Sequence, residues 1–404
     1  MVASRFAIRL DGRRGELPVP WKETCIVDQR IEFIAAVKAD PRGNFTRLCV
    51  RFGISRQTGY AMLARYNERG AQALEDRAPR AHQCPHKTDG AIEDLVVEMR
   101  KQHWDEGPKK LVERLAAAHP TVPMPAASTI GEILKRRGLI RPRRTRLRVP
   151  MHPSPLEPCA EPNDVWCTDF KGHFALGDRT RCHPLTITDA ASRYLICCEG
   201  LKAEKTPLVR PYFERAFAEF GIPARIRSDN GAPFATKTLG GLSALSVWWI
   251  QLGIAPERIE PGQPQQNGRH ERFHRTLKQR TTQPAAQTMA EQQRAFDHFR
   301  HDYNDARPHE SLGQKPPASV YEPSWRAFRA PREPQYAEGF EVRRANQNGE
   351  ISMVGKPLYV SHLLKGQPIG LRPVDDDEWE LHYGPLLIGH LLIRQGKPRI
   401  EPIV

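Results

Sequence analysis

Long apolar runs are missing from this 404-residue chain. The longest, such as Phe33–Val37 and Tyr194–Cys198, are five residues, and a bilayer-spanning helix needs about 20. The opening residues carry no apolar stretch of the signal-peptide kind. Cysteine is sparse, eight residues with no C-x-x-C pair, which argues against a disulfide framework or a zinc ribbon. His82, Cys84 and His86 lie close together, but no second Cys follows at metal spacing. The string G-x-x-x-x-G-K-[ST] is absent, so the chain has no phosphate loop of its own and any ATPase would be a separate protein. These absences lead us to expect a protein of the reducing cytoplasm with no membrane partner.

What is present is positive charge and proline. Lys and Arg number 61 against 47 Asp and Glu, a formal net charge of +14. The excess is uneven: residues 1–158 hold 29 basic against 18 acidic side chains, and 159–404 hold 32 against 29. A basic front end favours a polyanionic partner. Proline, 36 residues, is about 9% against a typical ~5%, which predicts loop-rich junctions between several domains.

The basic front reads as helices. Ile31, Phe33, Ile34 and Val37 recur at helical spacing, and Phe45, Leu48, Cys49 and Phe52 mark a second helix. Gly53-Ile54-Ser55 is a tight turn with Ser55 as N-cap, and Tyr60, Leu63 and Ala64 mark a third helix. Helix, short Gly-containing turn and helix is the helix-turn-helix pattern. It would present Arg56, Gln57, Thr58 and Tyr60 where base edges are contacted. A second such unit follows, with the stripe Ile92, Leu95, Val96 and Met99, a helix opening at Lys109, and a capping box at Thr129–Glu132. Residues 141–158 contain five Arg, five Pro and one Glu. They form an extended basic linker, and Arg141, Arg143, Arg144, Arg146 and Arg148 would lie along phosphates.

From Val165 the pattern alternates strands and helices, predicting an α/β domain with a mixed sheet. Residues 335–404 read as short strands around an Asn348-Gly349 hairpin turn, for which a small SH3-like β-barrel is the simplest closed arrangement. The chain is therefore expected to be multidomain. Helix-turn-helix units occupy 1–80 and 88–140, the linker 141–160, the α/β core 161–325 and the barrel 335–404.

Three acids stand out in the core. Asp169 lies inside a strand, Asp229 follows one, and Glu271 sits on a helix. A charge in a half-buried strand is costly unless paired or metal-bound, and carboxylate oxygens suit Mg²⁺. At 100° per residue, Glu271, Arg275 and Lys278 fall within about 60° of one another, with Phe273 and Leu277 opposite. Glu257 and Glu260 compete for the third position, since 41 residues separate Asp229 from Glu271. Both lie between Pro256 and Pro261, whereas Glu271 alone is on the amphipathic helix. His270 and His274 flank Glu271 and are expected to touch DNA or solvent, and Trp248 and Trp249 to fill a core.

The strings WCTDF, ITDAASRY, SDNGAPF, PGQPQQNGRHERFHRTLK and YNDARPHESLGQKPPASVY, in this order between Pro162 and Tyr321, resemble the core of bacterial insertion-sequence transposases. These belong to the DDE superfamily that includes retroviral integrases. The resemblance implies a ribonuclease-H-like core and two Mg²⁺ ions, for which Mn²⁺ substitutes. It also implies double-stranded DNA as partner, at least a dimer, and a nucleoid-associated location in the cytoplasm. It carries the three acids over to Asp169, Asp229 and Glu271, as catalytic residues and metal ligands, and its DNA-contacting helix positions to Arg275 and Lys278. A separate ATPase subunit is not expected. The alternative reading is a DNA-binding regulator with an inactive core.

Overall fold

Aromatic rings set the first helical packing. In the computed structural model, which describes residues 25–75, 88–140, 159–258, 268–395 and 397–402, the chain divides into two units, Met1–Lys87 and Thr88–Val404. The first contains α1 (Ile26–Ala39), α2 (Phe45–Arg51) and α3 (Arg56–Arg69). Phe33 meets the rings of Phe45 and Phe52 at centroid distances of 6.0 and 5.4 Å, and Ile34, Cys49 and Leu74 complete the core. Ser55 caps α3 as the sequence implies, its hydroxyl accepting from the Thr58 N–H at 3.1 Å. A Cβ at Gly59 would come 2.9 Å from Cys49 Sγ and 3.1 Å from each of two Phe rings, so α2 and α3 cross where the smallest residue lies.

The second unit begins with α4 (Gly90–Gln102), α5 (Pro108–Ala118) and α6 (Ala127–Arg136) around Val96, Leu111, Leu115, Ile130, Ile133 and Leu134. The Thr129–Glu132 capping box does not form. The helix starts two residues earlier, just past Pro125, with Ala126 at the N-cap and no side-chain cap.

The core sheet is mixed. Its strands are β1 (Val165–Phe170), β2 (Phe174–Ala175), β3 (Arg181–Asp189), β4 (Leu195–Leu201), β5 (Arg225–Ser228) and β6 (Ala255–Arg258). β3 runs antiparallel to β1, β2 and β4, while β1, β5 and β6 are parallel. Helices cover both faces. α7 (Thr206–Phe220) and α8 (Ala244–Gln251) pack on Trp166, Ile187 and Ile226, and Trp248 and Trp249 fill this layer. α9 (Gly268–Thr281) and α10 (Met289–His301) pack on Cys182, Leu195 and Cys198. The parity of each strand therefore decides which helix pair a side chain meets. Asp169 and Thr186 fall on the α9 side. A π-helical turn, Asp302–Ala306, follows α10, and its Asn304 accepts from Leu195 N–H at 2.8 Å and donates to Leu195 C=O at 3.0 Å, completing β4 beside a bulge.

The expected closed barrel is replaced by an open sheet. The strands β7 (Glu341–Arg344), β8 (Glu350–Met353), β9 (Lys356–Tyr359), β10 (Pro368–Asp375), β11 (Glu378–Tyr383), β12 (Leu386–Arg394) and β13 (Lys397–Pro402) form a five-stranded sheet, β13-β12-β11-β10-β7, and a separate β8-β9 pair. β7 and β13 are opposite edges. The sheet has no need to close, because Leu242, Val247 and Ile250 of the core and Ile351 and Met353 of the pair cover its apolar face. The Asn348-Gly349 turn does not join paired strands. The hairpin turn lies instead at Val354-Gly355, both at positive φ (50° and 70°), which matches strand twist.

Three arginines and three carboxylates lock the α4–α6 bundle to the core. Arg114 grips Glu106 at 2.7 and 2.8 Å and reaches Asp302 at 3.1 Å. Arg280 on α9 bonds Asp105 at 2.8 Å and also Asp302. Arg307 meets Asp105 at 2.9 Å and Glu106 at 3.1 Å. The Glu106 side chain is fully buried. Among the described residues no helix is long and apolar enough to cross a membrane, and the described cysteines are free thiols.

Removing one member of a buried charge set strands its partners, at about 3–5 kcal/mol. Glu106→Ala is therefore expected to lower the denaturant-unfolding free energy by that order, where a surface Glu98→Ala moves it by less than about 0.5 kcal/mol. Burial pushes the Asp105 and Asp302 carboxyls up, but Arg307 and Arg280 at Asp105, and Arg114 and Arg280 at Asp302, outweigh it and hold both below the ordinary aspartate range. Their stabilisation is full above an unfolded pKa of about 3.9 and is lost as pH falls through the lower folded values. Thermal midpoints measured downward from pH 5 should fall more steeply for wild type than for an Asp105→Asn/Asp302→Asn variant.

Candidate active site

The two strand acids are placed by register. β1 and β5 pair in parallel, with Val165 opposite Arg225, Trp166 opposite Ile226 and Cys167 opposite Arg227. The last pair is Cys167 with Arg227, and Asp169 and Asp229 each lie two residues beyond it, Asp229 just past the end of β5. Parallel pairing is what matters here, because both strands reach their C-terminal ends at the same edge. Asp169 has an 18% exposed side chain. Asp229 is half-buried, and its Oδ1 accepts from the Gly231 N–H at 3.2 Å. Burial pushes the Asp229 carboxyl up against that hydrogen bond, and the Glu204 carboxylate adds to the rise. Gly231 fits this turn for a steric reason: a Cβ there would come 3.0 Å from Asp229 Oδ2.

Glu271 stands exposed in the first turn of α9. The residue that ties its helix to the strand acids is His274, three positions on and so neighbouring on the helix surface. His274 is 5% exposed, not solvent-facing as its place on the helix had implied. Its Nδ1 lies 3.8 Å from Asp169 Oδ2 and its Nε2 2.9 Å from Thr186 Oγ1. The Thr186 hydroxyl donates to the Asp169 carbonyl at 3.1 Å, so His274 Nε2 carries the proton that Thr186 accepts. The chain Asp169 C=O, Thr186, His274 fixes α9 over the end of β1. No sequence motif flags it, since it joins three separate elements.

Other acids are accounted for. Glu257 lies on β6 and takes Arg227 at 3.0 Å. Glu260 lies outside the described residues. Asp189 of ITDAASRY is buried and clamps its own loop, accepting from Asn163 N–H and from Ser192 N–H, each at 2.7 Å. Among the described residues no three His, Cys, Asp or Glu side chains are gathered as a ready metal cage. Asp169 and Asp229 share a sheet edge, and Glu271 is held on the facing helix. The donors fit a hard divalent cation, being carboxylate oxygens, one of them in a setting that disfavours its uncompensated charge.

Arg275 and Lys278 are exposed on α9. Arg56 and Gln57 are exposed at the start of α3, where the Thr58 hydroxyl meets that of Ser55 at 2.8 Å. Tyr60, 59% exposed, stacks on Phe45 at 4.2 Å. Arg141, Arg143, Arg144, Arg146 and Arg148, with His82, Cys84 and His86, lie outside the described residues.

Thr186→Val removes the hydroxyl that bonds the Asp169 carbonyl and His274. It should cost about 1–3 kcal/mol in urea denaturation, whereas Thr186→Ser should retain most of that.

The chain matches the integrase core domain over residues 160–264, which include Asp169 and Asp229, and again over 252–317, which include Glu271. A helix-turn-helix domain matches 29–82 and a homeodomain-like domain 58–134. The insertion element IS476 uncharacterized 39.2 kDa protein of Xanthomonas euvesicatoria is 28% identical over 56% of this chain and 64% of its own length. The insertion element IS407 uncharacterized 31.7 kDa protein of Burkholderia multivorans is 27% identical over 44% of this chain and 62% of its own length. The chain thus spans under two thirds of these relatives. The integrase of a simian T-cell lymphotropic virus intasome, solved in complex with a PP2A regulatory subunit, is 17% identical with a TM-score of 0.36, covering 72% of this chain and 97% of that one. Residues 160–317 thus match an integrase core domain, residues 29–134 match helix-turn-helix and homeodomain-like domains, and the chain is similar to insertion-element proteins.

Proposed function

We propose that the chain is a DNA transposase that cuts the ends of its element and joins them to target DNA, with Asp169, Asp229 and Glu271 as its catalytic carboxylates. The observation that carries this reading is the parallel β1–β5 register, which brings two acids to one sheet edge beneath the helix that bears the third.

The reaction has two displacements. A water oxygen bonds to phosphorus at the element end and the P–O3′ bond breaks, leaving a 3′-OH and a 5′-phosphate. That 3′-OH then attacks a target phosphodiester in line and a target 3′-OH departs. Bonds broken and formed balance in each step, so no covalent enzyme intermediate is needed. Mg²⁺, or Mn²⁺ in its place, held by the three carboxylates would supply Lewis-acid stabilisation of the phosphate oxygens. The chain's own part is positional. The Asn230-Gly231 turn holds the Asp229 carboxylate, and His274 with Thr186 holds α9 against β1. Arg275 and Lys278 take backbone phosphates beside Glu271. Arg56, Gln57, Thr58 and Tyr60, on the first turn of α3, read the terminal inverted repeats in the major groove, and the arginines of 141–148 follow the phosphates between. Two element ends must be held together, so the active form is at least a dimer, working on the nucleoid in the cytoplasm.

Asp169→Asn, Asp229→Asn and Glu271→Gln are each expected to lower nicking of terminal-repeat DNA in Mg²⁺ by at least about a hundredfold, while repeat binding persists in gel shift. A wild type that never nicks such DNA would sink the reading, and an active Glu271→Gln beside a dead Glu260→Gln would move the third acid. Replacing the five linker arginines with Gln should weaken binding and flatten its salt dependence, by about 0.9 in log–log slope for every phosphate that is no longer neutralised.

A further inference from the structure

A cavity of about 510 Å³ opens between the α4–α6 bundle and α9, within the usual range of ligand pockets. Its wall carries Lys110 of α5, Arg193 of the β3–β4 turn, Arg272 and Arg275 of α9, and Arg307 and His309 of the segment after the π-helical turn. Among the described residues on that wall the one carboxylate is Asp105, which Arg280 and Arg307 already neutralise in the buried network. Beside that network, which is neutral at three arginines and three acids, the wall carries Lys110, Arg193, Arg272 and Arg275.

We propose that this cavity is a phosphate-oxyanion site that grips the nucleic-acid backbone between the second helical unit and the helix bearing Glu271. Four supports converge on it. Cations from three chain segments far apart in sequence line one concavity, which costs mutual repulsion that an anion relieves. Thr276 and Gln279, also on the wall, add uncharged hydrogen-bond donors. Arg193 holds left-handed backbone, φ 66°, a conformation uncommon outside glycine. The basic groups feel the crowding. Burial, then Arg307, pushes the Lys110 ammonium down to about 8, and burial, then Lys110, Arg307 and Arg193, pushes His309 down to about 3.

The site is distinct from the carboxylates. Arg272, Thr276 and Gln279 lie roughly 80–140° around α9 from Glu271 and Arg275 about 40°, so a strand seated here runs alongside the acids and meets them at Arg275. Because the buried network fixes the bundle to α9, a phosphate held here sets the register between DNA carried by the bundle and the cutting edge.

The test uses the full chain in metal-free buffer, so a chain that cannot cut DNA still answers it. Affinity for a random-sequence duplex is measured against salt for wild type, Lys110→Gln and Arg272→Gln. Each variant should lower the log–log slope by about 0.9 at every duplex sequence, and Lys110→Arg should restore it. A parallel arm compares melting in inorganic phosphate and in chloride at equal ionic strength. Unmoved DNA slopes with a phosphate-induced rise in midpoint that both variants lose would assign the site to free phosphate. Variants that match wild type in both arms, and melt with it in chloride, would overturn the proposal.

Discussion

Six charged side chains are taken out of water where the α4–α6 bundle meets the core, and the placement of α9 depends on how they are matched. Desolvation of a single carboxylate or guanidinium costs several kcal/mol, so the set is tolerated only because every member finds two partners. Arg280 is the hinge of the arrangement, lying on α9 about two and a half turns beyond Glu271. Its bonds to Asp105 and Asp302 fix that end of α9, and the π-helical turn brings Asp302 round to receive it. Ion pairs of this kind specify one geometry more than they add stability, because any shift of the bundle leaves buried charges unmatched.

The other end of α9 is fixed by a lighter device. His274 and Thr186 link it to the backbone of β1 at Asp169 itself. α9 is thus held at both ends, by the arginine–carboxylate network on one side and by the His274–Thr186 link on the other, and Glu271 lies exposed in its first turn. Rigid support on two elements is what a site built from three distant carboxylates requires. The basic cavity exploits the same scaffold from the next face of the helix.

Much of this was legible in sequence. The charge of Asp169 inside an apolar strand marked it as costly and therefore purposeful, and strand alternation does place it on the α9 side. Ser55 caps α3, and the apolar face of α9 buries Phe273 and Leu277. Elsewhere local rules lost to packing. A capping box at Thr129 would have started α6 at Ile130, and the helix instead begins at Ala127, just past Pro125. The Asn348-Gly349 turn has hairpin chemistry, yet β7 finds a better partner in β10, and the apolar face of the C-terminal sheet is covered by the core rather than by closure. His274 looked like a solvent-facing residue because nothing near it in sequence announces that Thr186 waits across the fold.

The sequence by itself determined which segments are helices and strands, where the charge is concentrated, and which three acids stand apart, because periodicity, capping and the cost of burying charge act locally. The tertiary structure alone decided what those parts do together. Parallel pairing brings Asp169 and Asp229 to one sheet edge, a buried ion network orients α9, and cations from three remote segments meet in one cavity. Each of these depends on residues scores of positions apart, whose approach is fixed by sheet order and helix packing rather than by any local pattern.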